Sequence, residues 1–287
     1  MSETLLSATP SGTYAIGGDL PVTRLGYGTM QLTGPGVWGD PADPDEALRV
    51  LRRTVDLGIT LIDTADAYGP FTADLLLRKA LHPYRDNLVI ATKVGHTRQG
   101  PHVWTPVGRP EYLRQQTELN LRNLGLERIP LLQLHRIDAK VPLEDQIGEL
   151  DALRQEGKIQ HIGLSEVSVA QIEAARAIAP IVSVQNRYNV ADRASEDVLE
   201  YAEANDIAFI PWHPLATGRL ARPGGPLEDQ AKRLGATPSQ VALAWLLRRS
   251  PVILPIPGTS SVRHLEQNVS AAQITLSDDD VETLSKA

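Results

Sequence analysis

The stretch Gly58-Ile-Thr-Leu-Ile-Asp-Thr-Ala-Asp-Ala-Tyr-Gly69 decides how the chain is read. Its apolar run, Thr60 to Ile62, reads as a buried strand. The run ends in Asp63, and Tyr68 and Gly69 follow closely. Two further runs have the same plan: Leu88-Val-Ile-Ala-Thr-Lys93 closes on Lys93, and Leu131-Leu-Gln-Leu-His135 closes on His135. Three successive strands thus end in, or just before, an ionisable residue. In parallel α/β sheets and barrels, ligands bind at the carboxyl ends of the strands. Singly, each residue has an ordinary structural role: a helix cap for Asp63, a packed aromatic for Tyr68, a strand end meeting water for Lys93, a satisfied core histidine for His135. The set on consecutive strand ends is what points to chemistry.

A free phenol has a pKa of about 10, so Tyr68 alone is a poor acid near neutrality. A lysine ammonium close by stabilises the phenolate and lowers that value. Asp63 would keep Lys93 charged and in place, and His135 could donate a hydrogen bond to a substrate oxygen. The four together make a proton donor suited to an oxygen on which negative charge develops. Reduction of a carbonyl fits that description.

The motifs Gly-Ile-Thr-Leu-Ile-Asp-Thr-Ala-Asp-Ala-Tyr-Gly, Ala-Thr-Lys-Val-Gly and Leu-Leu-Gln-Leu-His-Arg resemble those of the aldo-keto reductases, and the resemblance runs over nearly the whole chain. It implies a (β/α)8 TIM barrel with an N-terminal β-hairpin across the closed bottom, binding NADP(H) without a Rossmann domain. By the same resemblance Tyr68 is the general acid, Lys93 and Asp63 tune it, and His135 orients the carbonyl. The stretch from Gly26 to Gly36 and the Ile256-Pro-Gly-Thr-Ser-Ser261 run are similar to the bacterial branch that includes pyridoxal reductases, which implies pyridoxal or another small aldehyde as substrate. The family also contains redox-sensing regulatory subunits that bind NADP(H) and turn over very slowly, and that alternative stays open. So does, from outside the family, a Schiff-base aldolase using Lys93.

A length of 287 residues accommodates one barrel of about 250 residues plus additions. A formal charge of −7 with no basic stripe argues against nucleic acid and anionic membranes. The absence of cysteine removes disulfides, thiolate catalysis and cysteine metal sites. The seven histidines show no helical ligand spacing, so no metal is expected. The first 20 residues lack a signal pattern and no run approaches 18 apolar residues, so a cytoplasmic location is expected.

The chain reads as one domain over 1–287, with 1–12 a loose tail. Thr13 to Ile16 and Leu20 to Val22 predict the hairpin around Gly17-Gly18. Arg24 to Leu32 predicts the first barrel strand, and Ala208 to Leu215 and Val252 to Pro257 the seventh and eighth. The intervening strands end at Asp63, Lys93, His135, Ser165 and Asn186. Helical periodicity marks 43–57, 72–81, 111–124, 143–156, 169–179, 196–205, 238–249 and 262–272, with a C-terminal appendage helix over 277–286. Residues 96–109, rich in Gly and Pro, read as a long irregular loop covering the substrate. Trp38 and Trp104 are candidate pocket walls.

No Gly-x-Gly-x-x-Gly or Walker loop follows a strand, so the cofactor site rests on the resemblance. It implies that backbone at Gly28 and Thr29 passes close to the nicotinamide, that Asp63 borders it, that Ser165 and Gln185 hold the carboxamide, and that Trp212 stacks on the ring. The family often has Asn after that Ser, where this chain has Glu166. Pro214, Leu215, Gly218 and Arg219 match the loop over the pyrophosphate. Gly258, Thr259, Ser260, Arg263, His264, Gln267 and Asn268 match the adenosine-phosphate end, where free N–H groups at a helix start suit a phosphate.

Overall fold

The computed structural model describes residues 6–215 and 227–286. A hairpin of β1 (Thr13–Ile16) and β2 (Leu20–Thr23) comes first. The central sheet then collects β3 (Tyr27–Gly28), β4 (Leu61–Asp63), β5 (Val89–Val94), β8 (Ile129–Leu134), β9 (Ile159–Ser165), β10 (Ile181–Gln185) and β11 (Ala208–Phe209). Every pairing in it is parallel, and spatial order follows chain order, so each crossover runs to the next strand. Segment 252–257 joins its two edges. Phe209 N donates to Val252 O and Leu254 N to Phe209 O on one side, while Gly26 N donates to Pro255 O on the other. The result is a (β/α)8 barrel.

The eighth segment forms bridges at Ile253 and Gly258 rather than the expected strand. Pro255 and Pro257 have no N–H to give a ladder. The first and seventh strands are likewise shorter than expected: the chain turns into a 3-10 segment at Met30–Leu32, and Pro211 and Pro214 follow Phe209. Arg24 compensates at the closure, its guanidinium donating to Leu247 O, Ser250 O and Ile253 O.

The outer helices are α1 (Pro44–Asp56), α2 (Thr72–Leu81), α3 (Pro110–Leu124), α4 (Leu143–Gln155), α5 (Val169–Arg176), α6 (Glu196–Ala204), α7 (Glu228–Leu234), α8 (Pro238–Arg249) and α9 (Val262–Ser270). Boundaries follow local chemistry: Pro opens α1, α3 and α8, Asp43, Ser168 and Thr237 cap their helices through side-chain oxygens, and Gly125 ends α3 in the left-handed conformation. Helix α7 was not foreseen in the sequence. The appendage helix, α10 (Asp278–Ser285), docks on α8 through Trp245 Nε1 to Ser285 Oγ at 3.0 Å.

Two further expectations are corrected. Residues 6–12 are not a loose tail: Ala8 is buried with its N–H on Leu57 O, and Ser11 Oγ accepts from Leu25 N. Residues 96–109 are not an irregular loop either. They form an antiparallel hairpin, β6 (His96–Gly100) with β7 (Val103–Pro106), turned at Pro101-His102 with His102 in the left-handed region.

Ile16 and Val22 of the first hairpin share a buried cluster with Leu61, Val89 and Ala208, the first residues of β4, β5 and β11. The hairpin therefore stoppers the amino end of the barrel, leaving the carboxyl end for a ligand.

Candidate active site

Asp63 closes β4 and Lys93 lies one residue from the end of β5, and both are buried. Lys93 Nζ donates to Asp63 Oδ2 at 2.5 Å, to Thr64 O at 2.9 Å and to Tyr68 Oη at 3.3 Å. The other carboxylate oxygen of Asp63 accepts from Gln133 Nε2 at 3.1 Å and Gln185 Nε2 at 2.9 Å. Side chains from β4, β5, β8 and β10 thus meet at one buried ion pair with satisfied donors, the condition for an internal salt bridge to be tolerated.

Tyr68 reaches this point from a turn tied down by backbone bonds: Thr64 N to Ala91 O, Tyr68 N to Ala65 O, Ala73 N to Tyr68 O. Gly69 follows at φ 92°, and a Cβ there would lie 2.3 Å from that of Thr72, so the tight entry into α2 requires glycine. His135 follows β8 with its ring edge-on to Tyr68, centroids 6.0 Å apart. His96 stacks on His135 at 4.5 Å, and Trp104 stands edge-on to Tyr68, His135 and His96.

Burial governs the protonation states. It raises the Tyr68 phenol above 10, with Lys93 pulling the other way; the lysine acts in the expected sense, but desolvation outweighs it. Burial alone would depress Lys93, yet Asp63 and Tyr68 raise it, so the ammonium persists. Burial, followed by the charges of neighbouring cationic groups, pushes His135 well below its usual range, and burial takes His96 to about 4. At neutral pH the site holds a protonated phenol, an ammonium and neutral imidazoles. A neutral imidazole keeps one N–H to donate to a carbonyl oxygen.

Arg98 locks the second hairpin over this site. Its guanidinium donates to Val37 O, Ala67 O and Gly36 O and lies 3.6 Å from the Trp104 ring centroid and 5.8 Å from that of Trp38. Trp104 therefore borders Tyr68 and His135 directly, whereas Trp38 belongs to the loop that Arg98 braces. His96, Arg98 and Gln133 were missed in the sequence. A glutamine inside the apolar run of β8 was the legible signal for Gln133, since Leu131, Gln133 and His135 alternate to one face.

The model of the aldo/keto reductase family matches residues 24–287. The chain belongs to the aldo-keto reductase family. It is 51% identical over 281 residues to an uncharacterized oxidoreductase of Schizosaccharomyces pombe, covering 96% of this chain and 91% of that protein. It is 44% identical over 280 residues to pyridoxine 4-dehydrogenase of Escherichia coli, covering 96% and 97%. An aldo/keto reductase from Klebsiella pneumoniae, solved in complex with NADP and acetate, superposes with a TM-score of 0.82 at 26% identity, covering 96% of this chain and 94% of that one. The chain is an oxidoreductase of this family.

Within this aldo-keto reductase, the described residues among those expected at the cofactor run from β3 round to α9. Gly28 bridges Gly258, and a Cβ on Gly28 would come within 2.7 Å of Ile256 O, so the backbones run bare against each other. Thr29 is buried with no partner for its hydroxyl, an orphan that a bound group would satisfy. Gln185 is committed to Asp63, and Ser165 Oγ accepts from Arg136 at 3.0 Å. Thr259 is buried, its carbonyl accepting from Tyr27 Oη, while Ser260, Arg263 and His264 are exposed. Gln267 is half-buried and Asn268 buried one turn further on. The helix start is less free than expected, because Val262 N donates to Glu46 Oε1 and Ser261 N to Thr259 Oγ1. Pro214 is buried and Leu215 packs on the core; Gly218 and Arg219 lie outside the described residues. Among the described residues no cluster suits a metal, and no helix is long and apolar enough to cross a membrane.

Proposed function

We propose that this single-domain barrel reduces a small aldehyde or ketone to the alcohol with NADPH, Tyr68 supplying the proton. The observation that carries the reading is the buried chain from Asp63 through Lys93 to the Tyr68 hydroxyl, at 2.5 Å and 3.3 Å. A reduced nicotinamide supplies the hydride when bound. Every other element is provided by the chain. His135, neutral by burial, donates to the carbonyl oxygen. As charge develops there, Tyr68 releases its proton to that oxygen, and Lys93 stabilises the phenolate left behind. Asp63 holds Lys93 charged. The orphaned Thr29 hydroxyl favours a polar ligand beside β3, and Trp212 offers a flat face for its ring.

Pyridoxal is the substrate we favour. The relative named pyridoxine 4-dehydrogenase supports it, and so does the ring of Trp104, His96 and His135, whose faces and edges suit a flat aromatic aldehyde. The test is NADPH oxidation at 340 nm with pyridoxal, 4-nitrobenzaldehyde, methylglyoxal and a quinone. Turnover with pyridoxal leading is the expected result. Tight binding of NADPH with no turnover on any carbonyl would replace this reading with a cofactor-sensing regulatory subunit.

A further inference from the structure

The residue after Ser165 is in an unusual position. Glu166 sits at φ 56°, in the left-handed region that Gly, Asn and Asp occupy far more readily than a longer side chain. Its surroundings hold it there. Glu166 N donates to Gln185 O at 3.0 Å, and the next residue is clamped by Asn186, whose side-chain oxygen accepts from Val167 N at 3.1 Å while its amide donates to Val167 O at 2.8 Å. A strained conformation persists only where neighbours over-determine it, and such positions concentrate at functional sites.

The side chain shows what the strain achieves. Glu166 Oε1 accepts from Arg187 N at 2.7 Å and also from the Trp212 indole N–H. Trp212 N donates to Asn186 O at 3.1 Å, and Arg187 and Trp212 form a parallel bridge. Three strand ends, β9, β10 and the segment after β11, are thereby drawn together around one carboxylate. The indole is fixed at its backbone and at its ring nitrogen, so its plane has a single orientation. Two cations lie nearby: Arg187 Nε pairs with Asp192 at 2.8 Å while its guanidinium stands 6.0 Å from the Trp212 ring centroid, and Arg136, held by Ser165 Oγ and His135 O, also feels the Glu166 charge.

We propose that Glu166 is a positioning and charge-setting residue of the cofactor site: it fixes the Trp212 platform and biases the site toward the oxidised dinucleotide. The inference rests on the reading that Trp212 carries the nicotinamide ring. That ring is neutral when reduced and carries a positive charge when oxidised, and a carboxylate bonded to the edge of its platform favours the cationic form. An uncharged side chain at 166 would supply the hydrogen bond without the bias. The same charge assists carbonyl reduction, in which the ring becomes cationic as hydride leaves for the carbonyl carbon and the Tyr68 proton goes to the carbonyl oxygen.

The test is a pair of dissociation constants, for NADP+ and for NADPH, measured by quenching of tryptophan fluorescence on wild type, Glu166→Gln and Glu166→Asn. Glu166→Gln keeps an acceptor for the Trp212 N–H and removes only the charge. The expected result is a roughly tenfold rise in the ratio of the NADP+ constant to the NADPH constant in Glu166→Gln, a size between the bulk-water and the near-surface limits for one charge pair about 4 Å apart. Glu166→Asn relieves the backbone but is too short for the same bond, so it should show the rise in the ratio together with weaker binding of both forms. Equal weakening of both forms in Glu166→Gln, or no change in either, would overturn the inference while leaving the cofactor reading intact. Failure of wild type to bind either form would overturn the cofactor reading and this inference with it.

Discussion

At the scale of single residues, the site is a buried ion pair with a phenol at one end. Replacing Asp63 by Asn leaves Lys93 as an uncompensated buried ammonium, although the new amide oxygen can still accept from Gln133 and Gln185. Loss of one partner of such a pair costs about 3–5 kcal/mol, so Asp63→Asn should unfold at clearly lower urea concentration than wild type. Equal midpoints would mean that Lys93 has another counter-charge. Asp63, Lys93 and His135 were legible because each stands at the end of an apolar run, where burial and charge conflict visibly, and Tyr68 because it follows Asp63 so closely. Glu166 was not legible as a structural keystone. Its partners, Arg187 N and the Trp212 indole, are 21 and 46 residues away in sequence, and nothing local marks a glutamate as left-handed.

At the scale of elements, two arginines do what strand pairing leaves undone. Arg98 ties the β6–β7 hairpin to Gly36, Val37 and Ala67 and lies flat on Trp104. Arg98→Met should let the hairpin lift from the site, raising KM for the carbonyl roughly tenfold through lost positioning while kcat falls less. An unchanged KM would show that the hairpin does not border the substrate. Arg24 bonds three carbonyls around the proline-interrupted closing segment. Arg24→Met removes the charged donor from those oxygens, of which Ser250 O keeps the Ile253 N–H, and should cost about 2–3 kcal/mol in chemical denaturation; a loss below about 0.5 kcal/mol would show that the barrel closes without it. The sequence displayed the eight repeating units but not the means of closure. Apolar runs containing Pro255 and Pro257 look like strands by hydropathy, yet proline removes the ladder donors. The hairpin was hidden for the opposite reason, because Gly and Pro mask the alternation of a short, partly exposed ribbon.

At the scale of the whole molecule, the polar groups stored beneath the site set how stability varies with pH. Burial raises Asp74 to about 7, and Asp66 also well above its usual range. An acid with a raised folded-state pKa contributes stability that is complete below the unfolded value of about 4 and is lost as pH rises through about 7. His96, depressed to about 4 by burial, acts oppositely: its contribution is present above about 6.5 and lost as pH falls through about 4. The two slopes oppose each other between pH 4 and 6.5. In Asp74→Asn, whose side-chain oxygen can still accept from Thr64 Oγ1, Tm relative to wild type should climb as pH is raised from 4 to 7. Parallel Tm profiles would contradict a neutral buried Asp74. The claim that the whole barrel serves is proton donation by Tyr68, and one comparison tests it most directly: single-turnover oxidation of bound NADPH by pyridoxal in wild type and Tyr68→Phe, with NADPH affinity measured alongside. The account predicts that Tyr68→Phe binds NADPH as wild type does and loses about 10²–10⁴ of the rate. Tyr68→Phe reducing the carbonyl at the wild-type rate would contradict it.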